Sequence, residues 1–519
     1  MKLLYILFLC AFPFGIAISQ NIDVKKYTIY IELNDETDEI WVKEIINFDR
    51  LNEEKEFALD FVNLKSNGKG MVVDTVHQNN EYNEFEHIND SLFIQTYNND
   101  INQNVTIYYH GIPNDGLIIG ENKFGDRTFF GDNWPNRAHH WFACVDHPSD
   151  KALIEYHVTV PKKYKVIANG SLKSIDTTMQ NYNMFHYNSS HELPTKVMVI
   201  GVADFKTKEF ESVYNTPVSG WVYKNQASKA LYDLELASQV LNFFIDYIGP
   251  YPYEKLANVQ STTRYGGMEN AGCIFYDEDA LNGTRSSESL IAHEIAHQWF
   301  GNSASEEDWE HIWLSEGFAT YFANLYLKQI KGEKIFLNQM ESDRQRVVSF
   351  YKNFKSPLVD SNYVDLEDLL NPNSYQKGSW VLHMLRLQLS DSLFRESIRK
   401  YYDDFKYGNA NSKDFQSVIE TVTGKEWDDF FNQWVFSEGH PQIKIEGKIS
   451  NSKIVFEVRQ TNQAFEFPLT IRLNLTNGTY EDVQLLISDL KQNFTFQTKS
   501  KVKNYLLDPK VELLFEQVK

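Results

Sequence analysis

His293 and His297 stand four positions apart in the stretch His293-Glu294-Ile295-Ala296-His297, whose surroundings read as a helix. Residues four apart on a helix share one face, one turn apart, so the two imidazoles can converge on a single Zn2+. Glu294 can then reach the same cavity as a base. Such a pentad also arises by chance in a chain with 14 histidines, and a third ligand is what gives it weight. Glu316 lies 19 positions after His297, in Leu314-Ser315-Glu316-Gly317-Phe318, which opens a second helical pattern. A carboxylate from a helix packed against the first completes a His2Glu set with one coordination position left for water. The plain alternative for Glu316 is a solvated carboxylate favoured by the helix dipole; the pentad and the spacing favour the ligand. Glu269 lies 24 positions before His293, in Arg264-Tyr265-Gly266-Gly267-Met268-Glu269-Asn270. Paired glycines allow a second backbone to approach closely, and a carboxylate beside them can hold an ammonium group.

The elements that must position these residues follow from the pattern around them. The helix carrying the pentad reads as 287–300, capped by Ser286 or Ser287 and ended by Gly301. A longer apolar periodicity at 230–248 stops at Gly249-Pro250, and helical patterns continue to about residue 438. Before them come short β-branched and aromatic runs at 27–33, 40–48, 91–96, 105–110, 154–160, 164–168 and 196–201, with Asn169-Gly170 as a turn signal. Gly439-His440-Pro441 reads as a boundary. Strand patterns then return at 453–459, 469–475 and 482–487, with Asn477-Gly478 between the last two. The chain is therefore expected to divide into an amino-terminal antiparallel β domain (20–205), a mainly helical catalytic domain (206–440) and a small carboxyl-terminal β domain (441–519).

Length and charge agree. A chain of 519 residues is long enough for about two to four domains. Its formal net charge of −21 argues against nucleic acid as a partner, which needs clustered Lys and Arg. Residues 1–19 have the form of a secretory signal peptide, with Lys2, an apolar run, and small residues Ala17 and Ser19 before a cut. The expectation is a secreted, periplasmic or otherwise extracytoplasmic protein with no transmembrane segment in the mature chain. Cys10 would leave with the leader, and Cys144 and Cys273 are expected to be two separate buried thiols rather than a disulfide.

Gly-x-Met-Glu-Asn, then His-Glu-x-x-His, then a glutamate at this spacing, in this order, resembles the zinc aminopeptidases of peptidase family M1, which are gluzincins. The resemblance extends over most of the chain, with residues 141–149 and 166–170 also similar. It implies an α+β multidomain fold: an amino-terminal antiparallel β saddle, a thermolysin-like catalytic domain and a small carboxyl-terminal β-sandwich. It implies one zinc per chain on His293, His297 and Glu316, with Glu294 as general base. It also implies Gly266, Gly267, Met268, Glu269 and Asn270 as the binding segment for peptides with a free amino terminus. Tyr375-Gln376-Lys377-Gly378 matches the family's Tyr-x-Lys-Gly segment, so Tyr375 is expected to point its hydroxyl at the reacting carbonyl. The chain departs from the family where Ser315 stands in place of a common Asn. It departs again at Ala138-His139-His140-Trp141-Phe142-Ala143, where His139 and His140 read as structural. A glutamine-bearing segment that helps hold the substrate amine in many members has Asp132 or Asn133 as its candidate replacement.

Overall fold

The computed structural model describes residues 21–79, 81–96 and 101–518; the expected signal peptide lies outside them. The first part is built on a nine-stranded sheet. In spatial order it runs Ser171–Asp176, Tyr182–Asn188, Lys151–Pro161, Ile22–Glu32, Ile40–Arg50, Asn102–Ile112, Gly70–Gln78 and Glu81–Tyr82, with Leu193–Pro194 paired beside Lys151–Pro161. The alternation of apolar residues decides which face is buried: Ile154, Tyr156, Val158 and Val160 all point to the core, while Glu155 and His157 do not. The sheet is not wholly antiparallel as expected, because Ile22–Glu32 pairs in parallel with Lys151–Pro161. A parallel neighbour needs a long connection, and nearly 120 residues of other strands supply it here. Two smaller sheets accompany it, one of Lys165–Ala168, Ile200–Ala203, Arg127–Gly131 and Leu117–Glu121, the other of Glu56–Asp60, Ser91–Gln95 and Phe85–Ile88.

Local signals hold here with two adjustments. Gly170 adopts φ +73° as a turn requires, but Lys165–Ala168 and Ser171–Asp176 enter different sheets, so Asn169-Gly170 makes a corner and not a hairpin. The run at 196–201 is a 3-10 turn at Thr195–Val197 followed by the strand Ile200–Ala203.

A five-stranded sheet follows, ordered Phe205–Glu209, Val218–Tyr223, Leu256–Ser261, Cys273–Asp277 and Gly267–Met268, with parallel pairing in its middle. Every residue of Leu256–Ser261 is buried, as in a parallel strand covered on both faces. Successive side chains serve different cores. Leu256, Ile274 and Tyr276 join the core of the helical region. Ala257, Val259, Cys273 and Phe275 join the core of the amino-terminal sheets. Cys144 and Cys273 are both free and buried.

The helices are α1 (Ala227–Leu234), α2 (Leu236–Tyr247), α3 (Glu288–Ala296), α4 (Trp313–Lys331), α5 (Glu333–Tyr351), α6 (Gly378–Leu389), α7 (Asp391–Phe405), α8 (Ser412–Thr423) and α9 (Asp428–Phe431). The single helix expected at 230–248 is two, α1 and α2, divided at Glu235. α4 is buried along most of its length and is the helix on which the site is organised. None of the described helices is long and apolar enough to cross a membrane.

The last part has two sheets, one of Lys491–Gln497, Lys453–Gln460, Gln442–Ser450 and Glu516–Gln517, the other of Tyr480–Ile487, Phe467–Leu475 and Val502–Leu507. Asn477-Gly478 does close the hairpin between Phe467–Leu475 and Tyr480–Ile487, with Gly478 at φ +88°. Ile454, Phe456 and Val458 from one sheet and Leu469, Ile471 and Leu473 from the other share a core with Trp434, Val435 and the helices of the middle region.

Candidate active site

α3 begins with Glu288 in its first turn, where a carboxylate complements the helix dipole. Ser287 occupies the N-cap position, but its hydroxyl donates to the Ala280 carbonyl instead of capping. α3 ends at Ala296, four residues short of the expected span. Beyond it the chain tightens, with Gln298 N–H donating to Ile295 and Trp299 N–H to Ala296. Gly301 at φ +114° completes the reversal. His293 and His297 nevertheless keep their one-turn relation, because His297 still has right-handed helical dihedrals and its N–H bonds the His293 carbonyl.

α4 packs across α3 and brings Glu316 to the two imidazoles. Glu316 Oε2 lies 3.3 Å from His293 Nε2 and 3.3 Å from His297 Nε2, and the two Nε2 atoms are 3.0 Å apart. Three donors held about 2.1 Å from one centre at tetrahedral angles sit about 3.4 Å from one another. The observed triangle is close to that. Glu316 Oε2 is buried and has no hydrogen bond of good geometry to either ring. His297 Nδ1 lies 3.1 Å from the Phe300 carbonyl, which can only accept, and 3.0 Å from Ser315 Oγ. Nδ1 therefore carries a proton, and Nε2 is the nitrogen that faces the centre of the triangle. The residues fit a small divalent cation.

Electrostatics point the same way. Burial alone would lower His297, but the carboxylates of Glu316, Glu269 and Glu294 outweigh it and hold it up to about 10. Burial keeps His293 below its ordinary value. Burial pushes Glu294 well above the carboxylate range; nearby His297 opposes this and the Glu269 and Glu316 carboxylates add to it. Three buried carboxylates facing two imidazoles form a pocket whose negative field a cation completes.

Glu294 packs against the edge strand Gly267–Met268: a methyl group on Gly267 would come within 2.6 Å of Glu294 Cδ. Glycine at 267 is therefore what lets the carboxylate lie against that strand. One oxygen each of Glu269 and Glu294 lies within 4.8 Å of a ring nitrogen of His297. Glu269 is buried, and its Oε1 has no hydrogen-bond partner. Its backbone carbonyl is clamped by Gln298 Nε2 at 2.7 Å and Asn302 Nδ2 at 2.6 Å. Gln298 and Asn302 thus tie the turn after α3 to the glycine segment. Sequence reasoning missed both, since nothing in their spacing distinguishes them from ordinary polar residues.

Tyr375 comes from a π-helical turn, Asn373–Lys377, that runs directly into α6. Its ring stacks on His293 at 5.9 Å between centroids and 10° between planes. Burial, then Glu316, Glu269 and Glu294, push its phenol well above the ordinary value, so its O–H stays a donor.

These residues line a cavity of about 440 Å3 together with Gly266, Gly267 and Met268. Asn270 does not line it: its side chain is fully buried beneath. The candidates Asp132 and Asn133 are also set aside by the geometry. Asp132 is buried against Arg137 at 3.0 Å, and Asn133 is consumed by the Thr195 and Met198 carbonyls and the Trp141 indole. Trp134, unremarked in the sequence, lines the cavity next to them. His139 is bonded to Asp146 at 2.7 Å, away from the donors, in keeping with a structural role.

Two imidazoles and a carboxylate across two packed helices, with further carboxylates beside them, form a candidate site for a divalent cation. Comparison with known proteins narrows this. The sequence model of the Peptidase M1 N-terminal domain matches residues 14–197, and that of the Peptidase family M1 domain matches residues 232–434. The chain belongs to peptidase family M1. Its similar relatives include "Probable aminopeptidase 1" of Saccharolobus solfataricus, 25% identical over 484 residues, or 88% of this chain and 59% of the relative. "Tricorn protease-interacting factor F2" of Thermoplasma acidophilum is 30% identical over 411 residues, 75% of this chain and 51% of the relative. "Glutamyl aminopeptidase" of Rattus norvegicus is 26% identical over 332 residues, 61% and 35% respectively. The chain thus spans about half the length of the curated relatives it matches.

Proposed function

We propose that the chain is a zinc-dependent aminopeptidase that hydrolyses the amino-terminal residue from peptides. The convergence of His293, His297 and Glu316 on one point within 3.3 Å, beside the unpartnered carboxylate oxygen of Glu269, carries the reading. One zinc per chain, held by those three residues, supplies a Lewis acid for the scissile carbonyl and lowers the pKa of a water towards ~7. The Glu294 carboxylate, made more basic by burial than an ordinary one, takes the attacking water's proton and delivers it to the leaving amine. The Tyr375 hydroxyl donates to the oxyanion of the tetrahedral intermediate. Glu269 Oε1 accepts from the substrate's α-ammonium group, which sets the distance from chain end to scissile bond and limits cleavage to one residue. The peptide backbone lies along the free edge of Gly267–Met268, which ends the five-stranded sheet.

The same reading takes residues 20–205 as a β saddle, 206–440 as a thermolysin-like catalytic domain and 441–519 as a β-sandwich. It takes the protein as secreted or extracytoplasmic after removal of residues 1–19, and its partners as peptides with a free amino terminus. A panel of aminoacyl fluorogenic substrates, run with and without a chelator, tests the activity. Aminoacyl substrates should be cleaved, chelation should abolish cleavage, and N-acetylated peptides should be poor substrates. Equal cleavage of acetylated and free peptides would favour an endopeptidase instead.

A further inference from the structure

A second set of two imidazoles and one carboxylate lies outside the candidate active site. Glu155 and His157 stand two apart on Lys151–Pro161, and His186 stands on the antiparallel neighbour Tyr182–Asn188. Residues two apart on a strand share a face. The register places His186 directly opposite His157, where cross-strand side chains are near neighbours. All three therefore rise from one patch, on the face of the nine-stranded sheet turned away from its core. None of them lines the cavity of the candidate active site.

Their donor atoms converge. His157 Nε2 and His186 Nε2 each lie 2.9 Å from the same oxygen, Glu155 Oε1, and the three atoms all lie within 4.8 Å of one another. His157 Nε2 is hydrogen-bonded to that oxygen. His186 Nε2 is buried and close to it, yet has no hydrogen bond of good geometry among the described residues. One oxygen thus faces two ring nitrogens and satisfies one. The two rings stack at 4.3 Å between centroids and 12° between planes, and Tyr30, from the strand on the opposite side, stacks on His157 at 4.1 Å and 7°. Lys26 does not account for this gathering. Its ammonium pairs with Glu155 through Oε2, which leaves Oε1 to the imidazoles.

Two imidazole nitrogens and a carboxylate oxygen suit Zn2+, which takes such ligands in a tetrahedral site and can keep a fourth position for water. Donors about 2.1 Å from one ion at tetrahedral angles sit about 3.4 Å apart, so the two 2.9 Å pairs open slightly around it. Near-parallel rings cannot both point at one ion, and a tilt of His186 completes the set. We propose that Glu155, His157 and His186 form a second divalent-cation site, one that takes Zn2+ and clips Lys151–Pro161 to Tyr182–Asn188. This site is independent of the aminopeptidase reading, since it shares no residue with the candidate active site.

Equilibrium dialysis of the protein against micromolar Zn2+, with zinc counted by elemental analysis, tests it. Wild type should hold two zinc ions per chain, one at each His2Glu set. His157→Ala combined with His186→Ala should hold one and keep aminopeptidase activity, since neither residue lines the catalytic cavity. Glu316→Ala should hold one and lose activity. The double change removes a stacked pair, so Glu155→Gln is measured as well; it keeps the side chain's size and should lose the same ion. A circular dichroism spectrum on each sample checks the fold. Zinc content unchanged from wild type in both the histidine double variant and Glu155→Gln overturns the site. So does a single wild-type ion that disappears in Glu316→Ala. A single wild-type ion that persists in Glu316→Ala and disappears in the histidine double variant keeps this site and sinks the zinc assignment of the other. A wild type without zinc overturns both.

Discussion

At the residue scale the candidate site depends on one glycine as much as on its charged groups. In the proposed mechanism Glu294 accepts a proton beside the cation-binding triangle, and it reaches that place by lying in the space that a side chain at 267 would occupy. Glu294→Gln keeps that shape and the three ligands but cannot take a proton from water. We expect bound zinc to be unchanged by elemental analysis and turnover to fall by a factor on the order of 10²–10⁴. Gly267→Ala leaves every functional group in place but drives a methyl against the Glu294 carboxyl. It should also retain zinc and lose most of its kcat/KM. A zinc-loaded Gly267→Ala protein with wild-type kinetics would mean that the Glu294 position is not needed.

At the element scale the close crossing of α4 and α6 matters most. Gly317, next to Glu316, and Gly378, at the start of α6, meet backbone to backbone. A methyl on Gly317 would stand 2.8 Å from Gly378 Cα and 3.1 Å from the Ser374 carbonyl oxygen. This contact sets the π-helical turn bearing Tyr375 against the helix bearing Glu316. Gly317→Ala must push the helices apart, and overpacking of this kind costs about 1–3 kcal/mol. The midpoint of thermal unfolding should drop by about 1–3 °C, with a loss of activity from the shifted Tyr375. An unchanged midpoint by circular dichroism would show that the crossing is looser than described.

At the scale of the whole molecule, buried charges join the parts. Lys196, in the amino-terminal region, pairs with Glu306 in the short strand Ser305–Glu306 before α4, both fully buried. Lys151 Nζ donates to the Ser303 and Gly408 carbonyls at 2.9 and 2.6 Å, holding the loop that follows α3. Such burial makes stability depend on pH. Burial pushes Glu44 from its ordinary 4.5 up to about 8, against hydrogen bonds from Ala143 N–H and the Tyr109 hydroxyl. The folded protein then keeps a proton that the unfolded chain releases from about pH 4.5. Glu44's stabilising contribution is full below pH 4.5 and is lost as the pH rises to about 8. Burial raises Asp150 to about 7, which acts with the same sign. Glu44→Gln should therefore weaken the decline in unfolding free energy between pH 5 and 8 by an amount on the order of a few kcal/mol. Denaturant titrations of both proteins at those two pH values measure it, and parallel curves would refute it.

The identities and intervals of His293, Glu294, His297 and Glu316 were legible in the chain because helical periodicity is local: positions four apart share a face wherever the helix lies. The Asn477-Gly478 hairpin was legible for the same reason, since two residues decide a turn. What lay beyond the sequence was everything set by contact between distant segments. Asn169-Gly170 signals a turn, but only the packing of two sheets makes it a corner. The parallel pairing of Ile22–Glu32 with Lys151–Pro161 joins strands more than 100 positions apart, and no local pattern encodes it. The roles of Gln298 and Asn302 exist only because the turn after α3 folds back onto the Glu269 carbonyl. The burial of Asn270 and the engagement of Asn133 could likewise not be read from residue type, because a polar side chain is free or consumed according to which carbonyls and indoles the fold brings to it. Local spacing determined which groups could do chemistry; the close approach of α3, α4 and the glycine edge strand decided which of them face one cavity.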